Sequence, residues 1–232
     1  MTRHGRFWAG LMFFVALCLA ATAMPARTAR AQDDGRQLEE RILSLVTDIE
    51  VRRGFSLVVT ETIRIEAQGE KFRHGVYRIF PEAIEPAVSG FAVERVERDG
   101  REEPWRAEDA EGGVMIRIGD ANVLLAHGEH VYTIRYRTRL GLNALPAYDA
   151  LSWNMAGDWP FAVERAELRV RLPAPVRFGD REVVLGAPGP QPDVETIVDR
   201  PGEIAFRTTR RLESGEALTI GVAWPQSVLR RR

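Results

Sequence analysis

The stretch Leu43–Ile65 reads LSLVTDIEVRRGFSLVVTETIRI, and both of its halves alternate apolar and polar residues about a basic turn. Leu43, Leu45, Thr47, Ile49 and Val51 fall on one face of a first strand. Phe55, Leu57, Val59, Ile63 and Ile65 fall on one face of a second, and Arg52-Arg53-Gly54 supplies the turn of a hairpin. Outward from this pair the same period recurs in FAVERVER (Phe91–Arg98) before an Asp99-Gly100 turn and in a short piece around Trp105. It continues in GVMIRIG (Gly113–Gly119), HVYTIRYRTRL (His130–Leu140), VERAELRVRLP (Val163–Pro173), REVVLG (Arg181–Gly186), GEIAFRTTR (Gly202–Arg210) and ALTIGVAWP (Ala217–Pro225). No stretch carries helical periodicity beyond a turn or two. Many short strands at regular spacing predict an all-β protein, an antiparallel β-sandwich over residues 42–225, built as one large unit or two small ones. A division would fall in GLNALPAYD (Gly141–Asp149). A barrel is the alternative architecture, but the proline-rich GAPGPQPD (Gly186–Asp193) suits a loop between sheet edges.

The ends carry different information. Arg3 and Arg6 precede an apolar run from Phe7 to Ala23, and Ala29-Arg30-Ala31 is a small-x-small cleavage site, so residues 1–31 read as a signal peptide. Residues 32–41 are a polar lead-in and 226–232 a basic tail. Cleavage would remove Cys18, the one cysteine, together with Arg3, Arg6, Arg27 and Arg30. A cysteine-free chain with 28 basic and 33 acidic side chains would remain. Such a chain must be held by its core alone, and its mild acidity gives no general attraction to nucleic acid. The expected location is periplasmic or extracellular. Membrane contact would come only through an uncleaved signal or a missing C-terminal segment.

No constellation for catalysis or metal binding stands out. His127 and His130 lie three apart at the start of a strand, where such residues point to opposite faces, and no third ligand accompanies them. No G-x-S-x-G elbow, P-loop, dinucleotide glycine pattern or calcium loop occurs. The arginine rows Arg135, Arg137, Arg139 and Arg165, Arg169, Arg171 read as solvated sheet faces. Trp153, Asn154, Asp158 and Trp159 in LSWNMAGDWPF (Leu151–Phe161) read first as packing. As a binding surface they would stack on and hydrogen-bond a sugar or peptide.

One residue breaks the apolar row of the second strand. Glu61 lies in line with Val59 and Ile63, and a carboxylate there must be paired, neutralised or bulged out. KFRHGVYRIFP (Lys71–Pro81) follows, with the sequence's only lysine and a cluster of basic residues around Gly75. Arg78, whose planar fork matches a carboxylate, is the expected partner of Glu61, with Tyr77 and Ile79 as core anchors and Lys71, Arg73 and His74 in a mobile, solvated loop.

Four motifs in order resemble a known family. They are the V-T-E strand at Glu61, G-x-Y-R-x-x-P at Gly75, Tyr77, Arg78 and Pro81, Y-x-I-x-Y at Tyr132 and Tyr136, and L-x-W-N-x-x-G-x-x-W at Leu151, Trp153, Asn154, Gly157 and Trp159. Over about Ile42–Pro225 the chain resembles the N-terminal domain of the bacterial predicted membrane proteins grouped as domain of unknown function 2207. The resemblance implies a signal peptide, an extracytoplasmic β domain, and membrane helices beyond it, with no assigned activity. This sequence stops at Arg232, where those helices would follow. The resulting expectation is a non-enzymatic interaction or sensing module at the cell envelope, without cofactor or metal. Its partner would be an envelope protein or a separately encoded membrane subunit. The alternatives are a carbohydrate- or peptide-binding module using Tyr77, Trp153, Asn154 and Trp159, and third a hydrolase.

Overall fold

The first hairpin is the centre of the largest sheet. A computed structural model describes residues 39–80, 90–110, 113–155, 159–179, 181–185 and 194–230. The segment expected as a signal peptide, with Cys18, most of the polar lead-in, Pro81, Gly157, Asp158, the proline-rich stretch Gly186–Asp193 and the last two arginines lie outside them. β1 (Arg41–Arg52) and β2 (Ser56–Ala67) pair antiparallel along their whole length. A bulge between Ile42 and Ser44 makes Leu43 the extra residue. Ile42, not Leu43, therefore joins Leu45, Ile49 and Val51 in the buried row. Gly54 and Phe55 both take positive φ in the turn, which places Phe55 ahead of the second strand.

β2 is followed by β3 (Val76–Phe80), β4 (Ala92–Arg98), β5 (Arg101–Glu102), β6 (Trp105–Ala110), β7 (Gly113–Ile118) and β8 (Gly128–Thr138). Then come β9 (Leu142–Ala144), β10 (Tyr148–Asn154), β11 (Ala166–Arg171), β12 (Arg181–Leu185), β13 (Val194–Arg200), β14 (Glu203–Thr208) and β15 (Leu218–Pro225), and a short 3-10 turn closes the described chain at Gln226–Val228. They form an eight-stranded sheet in the order β13-β14-β11-β1-β2-β8-β4-β5, a four-stranded sheet β12-β15-β10-β9 and a three-stranded sheet β3-β7-β6. Gly141–Asp149 carries the β9–β10 hairpin.

The fold is all-β, and its pairs are antiparallel with one departure. β11 runs parallel to β1, with Leu45 beside Ala166 and Ile49 beside Val170. No hairpin joins these two strands, so no short connection imposes antiparallel pairing on them. The inward rows of the three sheets merge into one core, from Ile49, Val59 and Ile134 to Val76, Ile116 and Ile220. Outside, Arg171 bonds Asp48 at 2.9 Å, and Arg135 and Arg137 share Glu94. Among the described residues, no helix is long and apolar enough to cross a membrane.

Candidate functional site

A polar cluster inside the core fixes the small three-stranded sheet on the large one. Glu61 is fully buried between β1 and β8, where Thr47 and Ile134 flank it in register. Arg78 Nε donates to Glu61 Oε2 at 2.9 Å, and Arg78 Nη2 donates to Oε1 at 3.3 Å. The Tyr136 hydroxyl donates to Oε1 at 2.8 Å. Arg78, only 11% exposed, also donates to the Ile79 carbonyl and lies over the rings of Phe80 and Trp159, 5.1 and 5.4 Å from their centroids. Burial first, and then the Glu61 charge, hold the Tyr136 phenol well above its ordinary pKa, so it stays a donor.

This geometry reassigns the anchors of β3. Arg78 shares its face with Val76 and Phe80, which are buried, while Tyr77 and Ile79 on the other face are half-buried. Phe80 stands edge-on to Tyr136 at 5.0 Å. The four residues expected as a binding surface do not form one. Tyr77 belongs to the three-stranded sheet, and Trp153 and Asn154 to the four-stranded sheet, where both are half-buried. Trp159 is 4% exposed and packs in the core beside Arg78, so it offers no ring face to a sugar.

The basic segment before β3 is an anchored loop. Lys71, Arg73 and His74 expose their side chains, but Phe72 is buried and stacks on Phe161 at 4.2 Å. The Glu40 carboxylate accepts backbone N–H groups from Gln68, Glu70, Lys71 and Phe72. Burial raises the Glu40 pKa, and these four donors together outweigh it and hold the carboxyl below its ordinary value.

Beyond the loop, two glycines bring backbones into contact. Gly75 has φ 125° and Gly119 φ 114°, and an added Cβ would lie 2.0 Å from the Ile118 carbonyl at one and 1.9 Å from the His74 carbonyl at the other. Neither position accepts a side chain. Their approach carries His74 up to the loop after β7, where Asp120 Oδ1 accepts the Asn122 N–H at 2.8 Å. The Val123 carbonyl accepts from His74 Nδ1 at 2.9 Å, and Leu125 N–H donates to the Arg73 carbonyl at 2.8 Å. Leu125 is buried as the anchor of this loop, while Val123 and Leu124 are 53% and 67% exposed.

Facing this loop is the β4–β5 turn. Arg98 Nε donates to Glu103 Oε2 at 3.1 Å, and Gly119 N–H donates to the Pro104 carbonyl at 2.8 Å, joining the two walls. Between them lies a cleft of about 180 Å³. Pro104, Val123 and Leu125 form its apolar side, and His74, Arg98, Glu103 and Asp120 its polar side. Trp105, next to Pro104, is 42% exposed.

A histidine clasp closes the base of the loop. The His130 ring lies 2.8 Å from Asp99 Oδ2 through Nδ1 and 2.9 Å from the Ala126 carbonyl through Nε2. Both partners accept, so a protonated ring bonds to both and a neutral ring to one. Burial raises the Asp99 pKa, and the contacts with His130 and the Val131 N–H lower it further than burial raises it. Among the described residues, no three His, Cys, Asp or Glu side chains are grouped to hold a metal. Arg98, Glu103 and Asp120 had no motif to mark them. The one local signal was the Asp99-Gly100 turn.

Residues 41–224 match the family described as "Predicted membrane protein (DUF2207) N-terminal domain". The chain belongs to the DUF2207 family. A relative, "Uncharacterized protein YciQ" of Escherichia coli K12, is 25% identical over 189 residues, covering 75% of this chain and 28% of the relative. The chain thus spans little more than a quarter of that protein's length. Among solved structures, native leukotriene A4 hydrolase of Saccharomyces cerevisiae is similar, with a TM-score of 0.51 and 13% identity over 80% of this chain and 29% of that one. The yeast LTA4 hydrolase complex with bestatin gives 0.50 and 11%, over 86% and 31%. At that identity the likeness is one of fold.

Proposed function

We propose that this DUF2207 domain is a non-enzymatic interaction or sensing module on the exported side of the bacterial envelope, and that the rim of the cleft is its contact surface. The apolar run Phe7–Ala23 and the Ala29-Arg30-Ala31 site support export. One observation carries the interaction reading. Trp105, Val123 and Leu124 are the most exposed large apolar side chains among the described residues, ahead of Tyr148 and Leu145; Val123 lines the cleft, and Trp105 and Leu124 each directly follow a residue that does. Val123 and Leu125 line that cleft and enclose Leu124 in sequence, and Trp105 adjoins Pro104. Exposed apolar side chains gathered at one place support contact with another macromolecule there. The partner would be an envelope protein or the membrane portion encoded separately.

Site-specific photo-crosslinking of the full chain in its own cells tests this reading. A probe replacing Leu124 or Trp105 should give a discrete adduct of defined mass, and a probe at exposed Glu213 should give none. Absence of an adduct at Leu124, or an equal adduct at Glu213, would refute the proposed surface.

A further inference from the structure

Three of the sequence's four histidines gather at one loop. His127 belongs to the loop of residues 119–127 between β7 and β8, His74 holds it from the segment before β3, and His130 holds its base from β8. The same loop carries Val123 and Leu124, two of the side chains of the proposed contact surface.

The two holding histidines differ in what they need from a proton. His74 meets one acceptor at Nδ1, the Val123 carbonyl, and a neutral ring with its hydrogen on Nδ1 keeps that bond. His130 meets two, Asp99 Oδ2 at 2.8 Å from Nδ1 and the Ala126 carbonyl at 2.9 Å from Nε2. A neutral imidazole has a single N–H, so only the protonated ring satisfies both. On deprotonation the remaining hydrogen stays on Nδ1, because the carboxylate is the stronger acceptor. Asp99 is itself fixed independently of the ring: its Oδ1 accepts the Val131 N–H and its own N–H donates to the Val131 carbonyl, each at 2.8 Å. The Nε2 lone pair then faces the Ala126 carbonyl oxygen, and the two repel. The attachment that is lost is the one that ties the loop.

The elements packed against His130 carry further charged and titratable groups. Arg98 and Glu103 flank the β4–β5 turn and are bonded to each other. Asp120 and His127 lie in the loop, where Asp120 accepts the Asn122 amide and His127 lies against Gly69. On β2 the residue opposite His130 is Ile65, and Arg64 and Glu66 belong to the other face with Glu129. Tyr132, the next residue of β8 on the side of His130, stays a neutral phenol because burial raises its pKa.

We propose that this loop is a pH-controlled part of the contact surface, tied through protonated His130 to Asp99 and released at Ala126 when the ring is neutral. This rests on the interaction reading above and names its regulation. Histidine is the side chain that exchanges a proton within about pH 5–8. The proton and the ordered loop favour each other, so the rim is held for contact in mildly acidic medium and loosens as pH rises. A partner that meets the loosened loop must reorder it, which weakens contact.

Amide hydrogen exchange of the purified full chain tests the clasp. The Leu125 N–H donates to the Arg73 carbonyl, so its protection reports how firmly the loop is seated. Relative to the core Ile134 amide, its protection factor should fall at least about fivefold between about pH 5.5 and about pH 8. His130→Gln should remove that dependence. Long-range 1H–15N spectra of the His130 ring should show both nitrogens protonated in acid and Nδ1 alone in alkaline solution. These spectra need no variant, so a His130→Gln chain that failed to fold would leave the test intact. Equal protection at the two pH values, a fall that persists in His130→Gln, or a neutral ring protonated on Nε2 would overturn the clasp. The Leu124 crosslink, taken in cells held at the same two pH values, separates this from the contact surface itself. Its yield should be at least about threefold higher in acid and independent of pH in the His130→Gln chain. Equal yields in the parent would overturn control by pH. A pH-dependent loop with no adduct at either pH would refute the contact surface alone.

Discussion

Replacing Arg78 by alanine removes the one cation that, among the described residues, is bonded to the fully buried Glu61 carboxylate. Glu61 would lose both guanidinium hydrogen bonds and keep the Tyr136 hydroxyl alone. Phe80 and Trp159 would lose the cation over their rings as well. Breaking a buried pair from one side costs about 3–5 kcal/mol, because the remaining charge has neither water nor a counter-charge. Removing both charges together is far cheaper: Glu61→Leu with Arg78→Met leaves apolar side chains in an apolar site. The Tyr136 hydroxyl is then orphaned, at roughly 1–3 kcal/mol. Urea unfolding, followed by tryptophan fluorescence and far-ultraviolet dichroism, measures Arg78→Ala and the four corners of one cycle: the parent, Glu61→Leu, Arg78→Met and the double variant. The single variants should each lose about 3 kcal/mol or more, and the double variant should fall short of their sum by at least about 2 kcal/mol. Additive losses, or an Arg78→Ala cost below about 1 kcal/mol, would show that the pair is not the electrostatic unit described.

Gly75→Ala places a Cβ 2.0 Å from a backbone carbonyl at φ 125°, so it should destabilise by more than about 2 kcal/mol in the same urea assay, while Gly100→Ala, with open space around it, costs less. Asp149 is buried with neither carboxylate oxygen hydrogen-bonded among the described residues, and burial raises its pKa against a smaller lowering by Arg230. Its folded pKa lies above its unfolded one, so its unfavourable contribution is absent in acid, grows as pH rises through the ordinary carboxyl range, and is complete above the folded pKa. Asp149→Asn should therefore be at least as stable as the parent at neutral pH, and thermal melts at acid pH should show that advantage disappearing.

The sequence displays the core of the large sheet because period-two alternation is a direct image of burial. Thr47, Ile49, Leu57 and Val59 all lie on the inward face that alternation assigns them. Alternation fails where the backbone inserts a residue: the bulge at Leu43 moves Ile42 inward, and nothing in LSLVT announces it. It also fails where both parities are apolar. VYRIF offers Val76 and Phe80 or Tyr77 and Ile79 to the core, and the choice is made by Arg78 having to face Glu61. The polar strand β13 and the short β9 gave no readable pattern. The parallel β1–β11 pair joins segments over a hundred residues apart, beyond any local signal. The cleft was hidden for the same reason, since His74, Arg98, Glu103 and Asp120 become neighbours only through the sheets and the Gly75–Gly119 contact.

That last contact explains why a buried ion pair belongs in this domain at all. β3 has five residues and, among the described strands, pairs with β7 alone, and a three-stranded sheet this small has little stability of its own. A one-residue slip of β3 would turn Tyr77 and Ile79 inward, which costs little in hydrophobic burial, because both are apolar enough to replace Val76 and Phe80. The same slip would turn Arg78 to solvent and leave Glu61 buried and alone, which costs several kcal/mol. Apolar packing therefore does not choose between the two registers, and the charge pair does. The register in turn puts Gly75 opposite Gly119, where backbones touch and no other residue fits, and so places His74 against Val123 on the wall of the cleft. The pair contributes less as stabilisation than as selection of one register among two that packing alone would accept. The shape of the cleft, whose rim is the proposed contact surface, depends on that selection.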